Sequence, residues 1–250
     1  MTGPDILHFL LLFGVGSMAG LINVMAGGGS TLTLPVLLFL GLDATVANGT
    51  NRVAIAMQNL FAVLSFRQEN VSQIRRSLVF SACAIPGSIA GVLVAVRISD
   101  EWFQRILGIV MILVVISMVL PRGTQKLTTP EGIRSPWIYP ALFLIGFYGG
   151  FIQVGAGFLF MAAFYHLLHM DLVHVNLHKV FVVLIYTVPV LVVFAFSGNI
   201  DWILGLALAA GNSVGAWFAV KLAVRKGDRI VRAVMIVAIL IMAAKILGLF

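Results

Sequence analysis

The chain has 250 residues, 61% of them hydrophobic, and only 10% are Asp, Glu, Lys or Arg. A soluble domain carries about a quarter charged residues, so this chain cannot cover a water-facing surface, and its exterior must be apolar and lie in a bilayer. The net charge of +7 would suit nucleic acid, but the basic residues are scattered between apolar segments rather than gathered on one face. They serve as topology signals, and a nucleic-acid partner is excluded.

In chain order, the first apolar segment runs from Ile6 to about Met25, breaks at Gly27-Gly28-Gly29 and resumes from Thr31 to Gly41. Residues 1–10 hold no Lys or Arg and no small-residue cleavage site follows, so Met1 onward is expected in the mature protein. Further spans are predicted at 48–66, 77–97 and 102–120. A segment at 137–153 breaks at Gly155-Ala156-Gly157 and resumes to about 169, and spans at 174–196, 202–224 and 229–249 follow. Most of these can cross a ~30 Å hydrocarbon layer, but the pieces at 31–41 and 158–169 are too short to do so alone. Cys83, the single cysteine, reads as a small buried packing residue and rules out an internal disulfide.

The two halves match. An offset of 128 aligns Gly27-Gly28-Gly29 with Gly155-Ala156-Gly157, Asp43 with Asp171, Asn48 with Asn176, Asn51 with Lys179 and Gln73 with Asp201. An offset of 124 then aligns Gly87 and Gly91 with Gly211 and Gly215, and Arg97 with Lys221. Glycine matches alone could be compositional; the Asp and Asn matches are not. The expected fold is all-α, a polytopic membrane protein of two inverted repeats. Each repeat is a glycine-broken helical hairpin followed by three transmembrane helices. The repeats span 1–120 and 136–250, joined by a cytoplasmic linker at 121–135.

Charge placement selects the hairpin. If each broken segment goes in and comes back, eleven basic residues, Arg75, Arg76 and Arg229 among them, fall on one side, and three (Arg97, Arg105, Lys245) on the other. If each crosses once, the bias nearly vanishes. The positive-inside rule favours hairpins and puts both termini outside the cytoplasm. Trp102, Trp137 and Trp202 each open a span, where interfacial aromatics belong. Inverted repeats with matching broken helices are a common plan of secondary transporters, with substrate held where the breaks meet.

The candidate binding residues cluster around those breaks. Backbone N–H groups of Gly27, Gly28, Gly29, Gly155 and Gly157 are candidates because a helix N-terminus carries partial positive charge and suits an anion; close helix packing is the alternative. For Gly16/Gly20, Gly87/Gly91 and Gly211/Gly215, packing is the expected role. Asp43 and Asp171 are expected to be helix N-caps. Asn48, Thr50, Asn51, Asn176 and His178 offer donors that suit oxyanions, or else bonds between helices. Arg52 and Lys179 are the cations set away from the loops, and a buried cation needs a partner, which Asp43, Asp171 or a bound anion could supply. Asn23 and Gln153 stand just before the breaks. His166, His169, His174 and His178 have spacings that could place a metal on a helix face, or couple protons. The pattern is not repeated at Leu38, Gly41, Val46 and Thr50 in the first half, which weighs against metal. Ser30 has no identifiable His–Asp constellation to activate it, so catalysis and cofactors are not expected.

The stretch Ala19-Gly20-Leu21-Ile22-Asn23, Gly27-Gly28-Gly29, Pro35, Gly41-Leu42-Asp43 and Ala47-Asn48-Gly49-Thr50-Asn51 resembles the signature of the sulfite exporter TauE/SafE family. Gly150, Gly155-Ala156-Gly157, Asp171, Asn176 and Lys179 resemble that family's second half, where Leu177-His178-Lys179 replaces a Gly-Thr-Asn triplet. The resemblance implies a carrier of sulfite, sulfonates or related organosulfur acids in a prokaryotic plasma membrane. The partners considered are a small anion, membrane lipid and a second copy of the chain. The alternatives are a divalent-cation transporter using the histidines, and a non-transporting membrane enzyme or assembly factor.

Overall fold

The computed structural model describes residues 6–119, 135–227 and 230; the expected span at 229–249 (residue 230 apart) and nearly all of the linker lie outside the described residues. The described residues form helices and no strands. In the first half these are α1 (Ile6–Met25), α2 (Ser30–Phe39), α3 (Ala44–Gln68), α4 (Ile74–Ala95) and α5 (Asp100–Val119). In the second half they are α6 (Ile138–Phe151), α7 (Ala156–Leu168), α8 (Leu172–Phe196) and α9 (Trp202–Lys226). Helices α1, α4, α8 and α9 are each long and apolar enough to cross a membrane.

The distribution of polarity is that of a lipid-facing bundle. Ile6, Leu7, Leu10, Phe39, Leu78, Leu144, Phe196 and Phe218 point outward, while Asn48, Thr50, Asn51, Arg52, Gln58, Asn176, His178, Lys179 and Asn212 are buried. Water would penalise the first set, and hydrocarbon would penalise the second unless its members satisfy one another. Trp102, Trp137 and Trp202 are exposed at the helix starts, as interfacial aromatics should be. Cys83 is half-buried and packs against the core.

The paired glycines set the helix crossings. A Cβ on Gly211 would strike the Phe13 carbonyl, one on Gly215 the Ser17 carbonyl, and one on Gly20 the Asn212 carbonyl. Residue numbers rise together along this contact, so α1 and α9 run parallel, backbone against backbone. Gly87 and Gly91 meet the Phe143 and Phe147 carbonyls, and Gly146 and Gly150 meet those of Ala84 and Ser88. Helices α4 and α6 therefore run parallel in the same way. The packing role expected for these small-xxx-small pairs is what the backbones show. Helix α3 packs on α9, α4 on α8, and α3 on α8 between them. Each half therefore lays its first helix on the other half's α4 or α9.

Contacts at the helix ends fix which ends share a side. Ser135 N–H donates to the Leu167 carbonyl at 3.4 Å, which closes the base of a hairpin made by α6 and α7. Glu69 and Arg225 pair at 3.5 Å, bringing the ends of α3 and α9 together. Asp100 meets Thr45, bringing the starts of α3 and α5 together at the opposite end. Arg67, Arg75, Arg76, Arg225 and Lys226 thus gather at one end of the bundle, and Arg97 and Arg105 at the other.

The two expected N-caps differ. Asp171 accepts from Val173 N–H at 3.1 Å and His174 N–H at 3.0 Å, capping α8. Asp43 occupies the same position on α3 but makes no capping bond. The Thr45 N–H goes to Asp100 at 2.9 Å instead, so a carboxylate from α5 caps α3. Burial alone would raise the Asp171 carboxyl, but the His174 and Val173 N–H groups and the His174 ring outweigh it and hold its pKa below the usual carboxylate range. A depressed carboxylate stabilises the fold above its unfolded pKa and stops doing so as pH falls through the folded one. Asp171→Ala is therefore expected to remove about 1 kcal/mol at neutral pH. In melts over a pH series, the gap to wild type should close below about pH 4.

Candidate functional site

The site forms where the two broken helices end. Gly27 (φ +89°) and Gly157 touch through their backbones, and a Cβ on Gly27 would sit 2.4 Å from the Gly157 carbonyl carbon. Gly155 also takes a left-handed conformation, φ +73°, at the start of α7. Asn23, in the last turn of α1, turns its side-chain oxygen back to the Gly29 N–H at 3.3 Å. Thr31 donates to the Gly28 carbonyl at 2.6 Å. The N–H groups of Gly28, Ser30 and Gly157 find no acceptor among the described residues. Buried N–H groups without partners at a helix start lie at its positive dipole end, where an anion is favourable.

Two cations close the ends of the helices that stop there. Arg52 of α3 donates to the Gly149 carbonyl at 2.5 Å, the Gly150 carbonyl at 3.0 Å and the Gln153 side chain at 2.6 Å. Lys179 of α8 donates to the carbonyls of Asn23 at 2.9 Å and Val24 at 2.5 Å, and to Asn176 at 2.8 Å. Arg52 therefore caps α6 and Lys179 caps α1. The last carbonyls of a helix lack partners within it and carry its negative dipole end, so a cation is favourable at each place. Each half supplies the cation that the other half's broken helix needs. Neither Asp43 nor Asp171, the two carboxylates considered as partners, takes part: Asp43 is exposed, and Asp171 pairs with His174 at 2.5 Å.

The remaining predicted residues divide between the breaks and the helix ends. Asn48 donates to the Phe151 carbonyl at 3.0 Å, and Asn51 accepts from Thr33 at 2.8 Å and reaches Ser30 at 3.4 Å, tying α3 to both hairpins. Thr50 instead accepts from the Asp201 N–H at 2.9 Å. His178 turns away from the breaks, to Ser77 at 2.8 Å and Gln73 at 3.1 Å. These last two contacts correspond at the offset of 128, Thr50 with His178 and Asp201 with Gln73. They stitch the halves together at opposite ends of the bundle. The other histidines have separate surroundings. His166 packs edge-on against Tyr165, His169 ends α7 with φ +50°, and His174 is engaged by Asp171. No three His, Cys, Asp or Glu side chains converge among the described residues.

Two tyrosines join the site that sequence reading passed over. Tyr186 donates to Gln153 at 3.0 Å, so this amide oxygen accepts from both Arg52 and Tyr186. Tyr148 donates to the Val154 carbonyl inside the second break. The available signal was chemical: a phenol in an apolar helix needs a partner for its hydroxyl when buried.

An all-helical chain with an apolar exterior and a buried polar centre is a polytopic membrane protein. Residues 12–246 match the family model for Sulfite exporter TauE/SafE. The chain is 26% identical over 248 residues to the probable membrane transporter protein YfcA of Escherichia coli K12, covering 99% of this chain and 91% of that protein. It is 28% identical over 252 residues to a probable membrane transporter protein of Haemophilus influenzae, covering 97% and 95%. It is 26% identical over 242 residues to the probable membrane transporter protein YunE of Bacillus subtilis, covering 86% and 87%. No solved structure matches it. The chain belongs to the sulfite exporter TauE/SafE family, a family of membrane transporters rather than enzymes.

Proposed function

We propose that the chain is an alternating-access carrier of a small anion, with sulfite, sulfonates and related organosulfur acids as the candidate substrates. One observation carries the reading. Arg52 and Lys179 are buried at 0% and 2% exposure, and every hydrogen-bond partner they have among the described residues is neutral. Helix-end carbonyls offset these cations only in part, and with no carboxylate bonded to either among the described residues, a bound anion would relieve the remaining field beside the buried N–H donors. The hydrogen-bond inventory assigns the two cations different roles. Lys179 spends its three N–H donors on oxygens, whereas the Arg52 Nε–H has no partner among the described residues. Arg52 is therefore the cation proposed to reach substrate, with the Gly28, Ser30 and Gly157 N–H groups, and Lys179 the one that holds the frame.

In this proposal the halves are inverted repeats that rock against each other about the touching breaks. The parallel pairings of α1 with α9 and α4 with α6, and the basic residues gathered at one end, support that arrangement. The positive-inside rule would make that end cytoplasmic and both termini extracytoplasmic, in a plasma membrane.

Thermal melts of purified protein against sulfite, a sulfonate, sulfate, chloride and a cation series test the reading. Stabilisation by one or more of the sulfur oxyanions is expected, with uptake of the same labelled anion into reconstituted vesicles. Arg52→Lys keeps the charge but not the planar fork, and should abolish the anion-induced shift while leaving a folded protein. Protein that no anion stabilises, in vesicles that move none of them in either gradient direction, would sink the proposal.

A further inference from the structure

A cleft of about 410 Å³ opens at the basic end of the bundle, away from the breaks. Arg75 and Arg76, in the first turn of α4, form one rim, and Phe80, Ile138 and Leu168 are buried beneath them. Tyr139 forms the opposite wall and is half-exposed, and its neighbour Trp137 stands out at 72% exposure. The Arg76 guanidinium lies 5.7 Å from the Phe80 ring centroid, so its cationic head is set over an apolar floor.

We propose that this cleft binds the headgroup and upper acyl chain of an anionic phospholipid. The second half of the chain has no counterpart to these arginines. At the offset of 128 that pairs Gln73 with Asp201, the matching positions in α9 are Ile203 and Leu204. The same framework is thus built in the other half with no charge there. Adjacent Trp137 and Tyr139 mark headgroup depth, where indole and phenol side chains concentrate. A phosphodiester meets two guanidiniums there, and an acyl chain continues along the exposed apolar surface of Val79, which lines the cleft, and of Phe143, one turn beyond Tyr139 on α6. The chain's own segment 120–134 is a poor rival by charge. It carries Arg122, Lys126 and Arg134 against Glu131 alone, and would be repelled by the same rim.

Native mass spectrometry of the full chain in an equimolar mixture of phosphatidylglycerol and phosphatidylcholine tests this. Wild type should retain phosphatidylglycerol about tenfold over phosphatidylcholine, and the double variant Arg75→Gln/Arg76→Gln should retain them equally. Arg105→Gln, at the opposite end, should keep the preference. Equal retention by wild type, or a preference that survives in the double variant, overturns the proposal. If the double variant does not fold, melts of wild type decide. Stabilisation by phosphatidylglycerol but not by inorganic phosphate supports a lipid site. An equal shift with inorganic phosphate overturns it in favour of a free-anion site, and no shift with phosphatidylglycerol overturns it outright.

Discussion

Lys179→Met is expected to leave little folded protein in the membrane. Methionine matches the lysine stem in length and removes the charge, so one effect of the change is favourable: a buried ammonium no longer has to be desolvated. That gain is realised only when the partners are replaced as well, and here two of them are backbone. The carbonyls of Asn23 and Val24 end α1 next to the break, and Asn176 supplies the third oxygen. No mutation of Lys179 removes these groups. The Asn23 carbonyl keeps the Gly27 N–H at 2.9 Å, but the Val24 carbonyl and the Asn176 oxygen lose their donor, and at about 1–3 kcal/mol for each buried acceptor left unpaired the two together cost roughly 2–6 kcal/mol. Native proteins are stable by about 5–15 kcal/mol, and a loss of that size takes much of it. A fluorescence-detected gel-filtration profile compared with that of Arg52→Lys is the check. Lys179→Met should collapse the monodisperse peak, whereas Arg52→Lys should keep the peak and lose only its response to anions. A Lys179→Met protein as stable as wild type would show that the α1 carbonyls find other donors, and the framing role would be wrong.

How far the sequence led can be judged from these same residues. The hairpins were legible because glycine breaks recur at a fixed offset and because only returning segments gather the basic residues on one side. That offset also pairs Thr50 with His178 and Gln73 with Asp201, the residues that join the halves, although spacing alone could not show that they touch. The partners of Arg52 and Lys179 were not legible, since they are main-chain carbonyls and carry no residue identity. A search for carboxylates pointed to Asp43 and Asp171 instead. The offset even matches Lys179 with Asn51 rather than Arg52. A cation one position along α3, on a long flexible stem, reaches the equivalent helix end, so role and alignment come apart by one residue. The cap on α3 was hidden for a related reason. Its carboxylate, Asp100, lies 55 residues along the chain from Thr45, beyond any local capping pattern.

Gly27→Ala is expected to damage both stability and transport, because it combines a strained backbone with a clash. The residue is held at φ +89°, where an L side chain is strained, and its Cβ would lie 2.4 Å from the Gly157 carbonyl carbon and 2.6 Å from the Phe158 nitrogen. Both obstacles are backbone, so no rotamer change relieves them. The first problem costs about 1–2 kcal/mol and the overpacking about 1–3 kcal/mol or more, so together roughly 3 kcal/mol or more. Gly157→Ala tests the contact from the other side without the backbone strain, because its Cβ would meet the Gly27 Cα at 2.5 Å while its own φ is not left-handed. If the touching breaks are the pivot between halves, Gly157→Ala should lose transport at least as severely as it loses thermal stability, since the clash lies on the moving contact. Gly41→Ala is the control: it shares the left-handed backbone, φ +90°, but has open space where the Cβ would go. It should lose about 1 kcal/mol of stability and keep transport. Melts and vesicle uptake on the three variants separate the two causes. Equal behaviour of Gly27→Ala and Gly41→Ala would mean that backbone strain alone matters, and that the contact between the breaks is not the hinge.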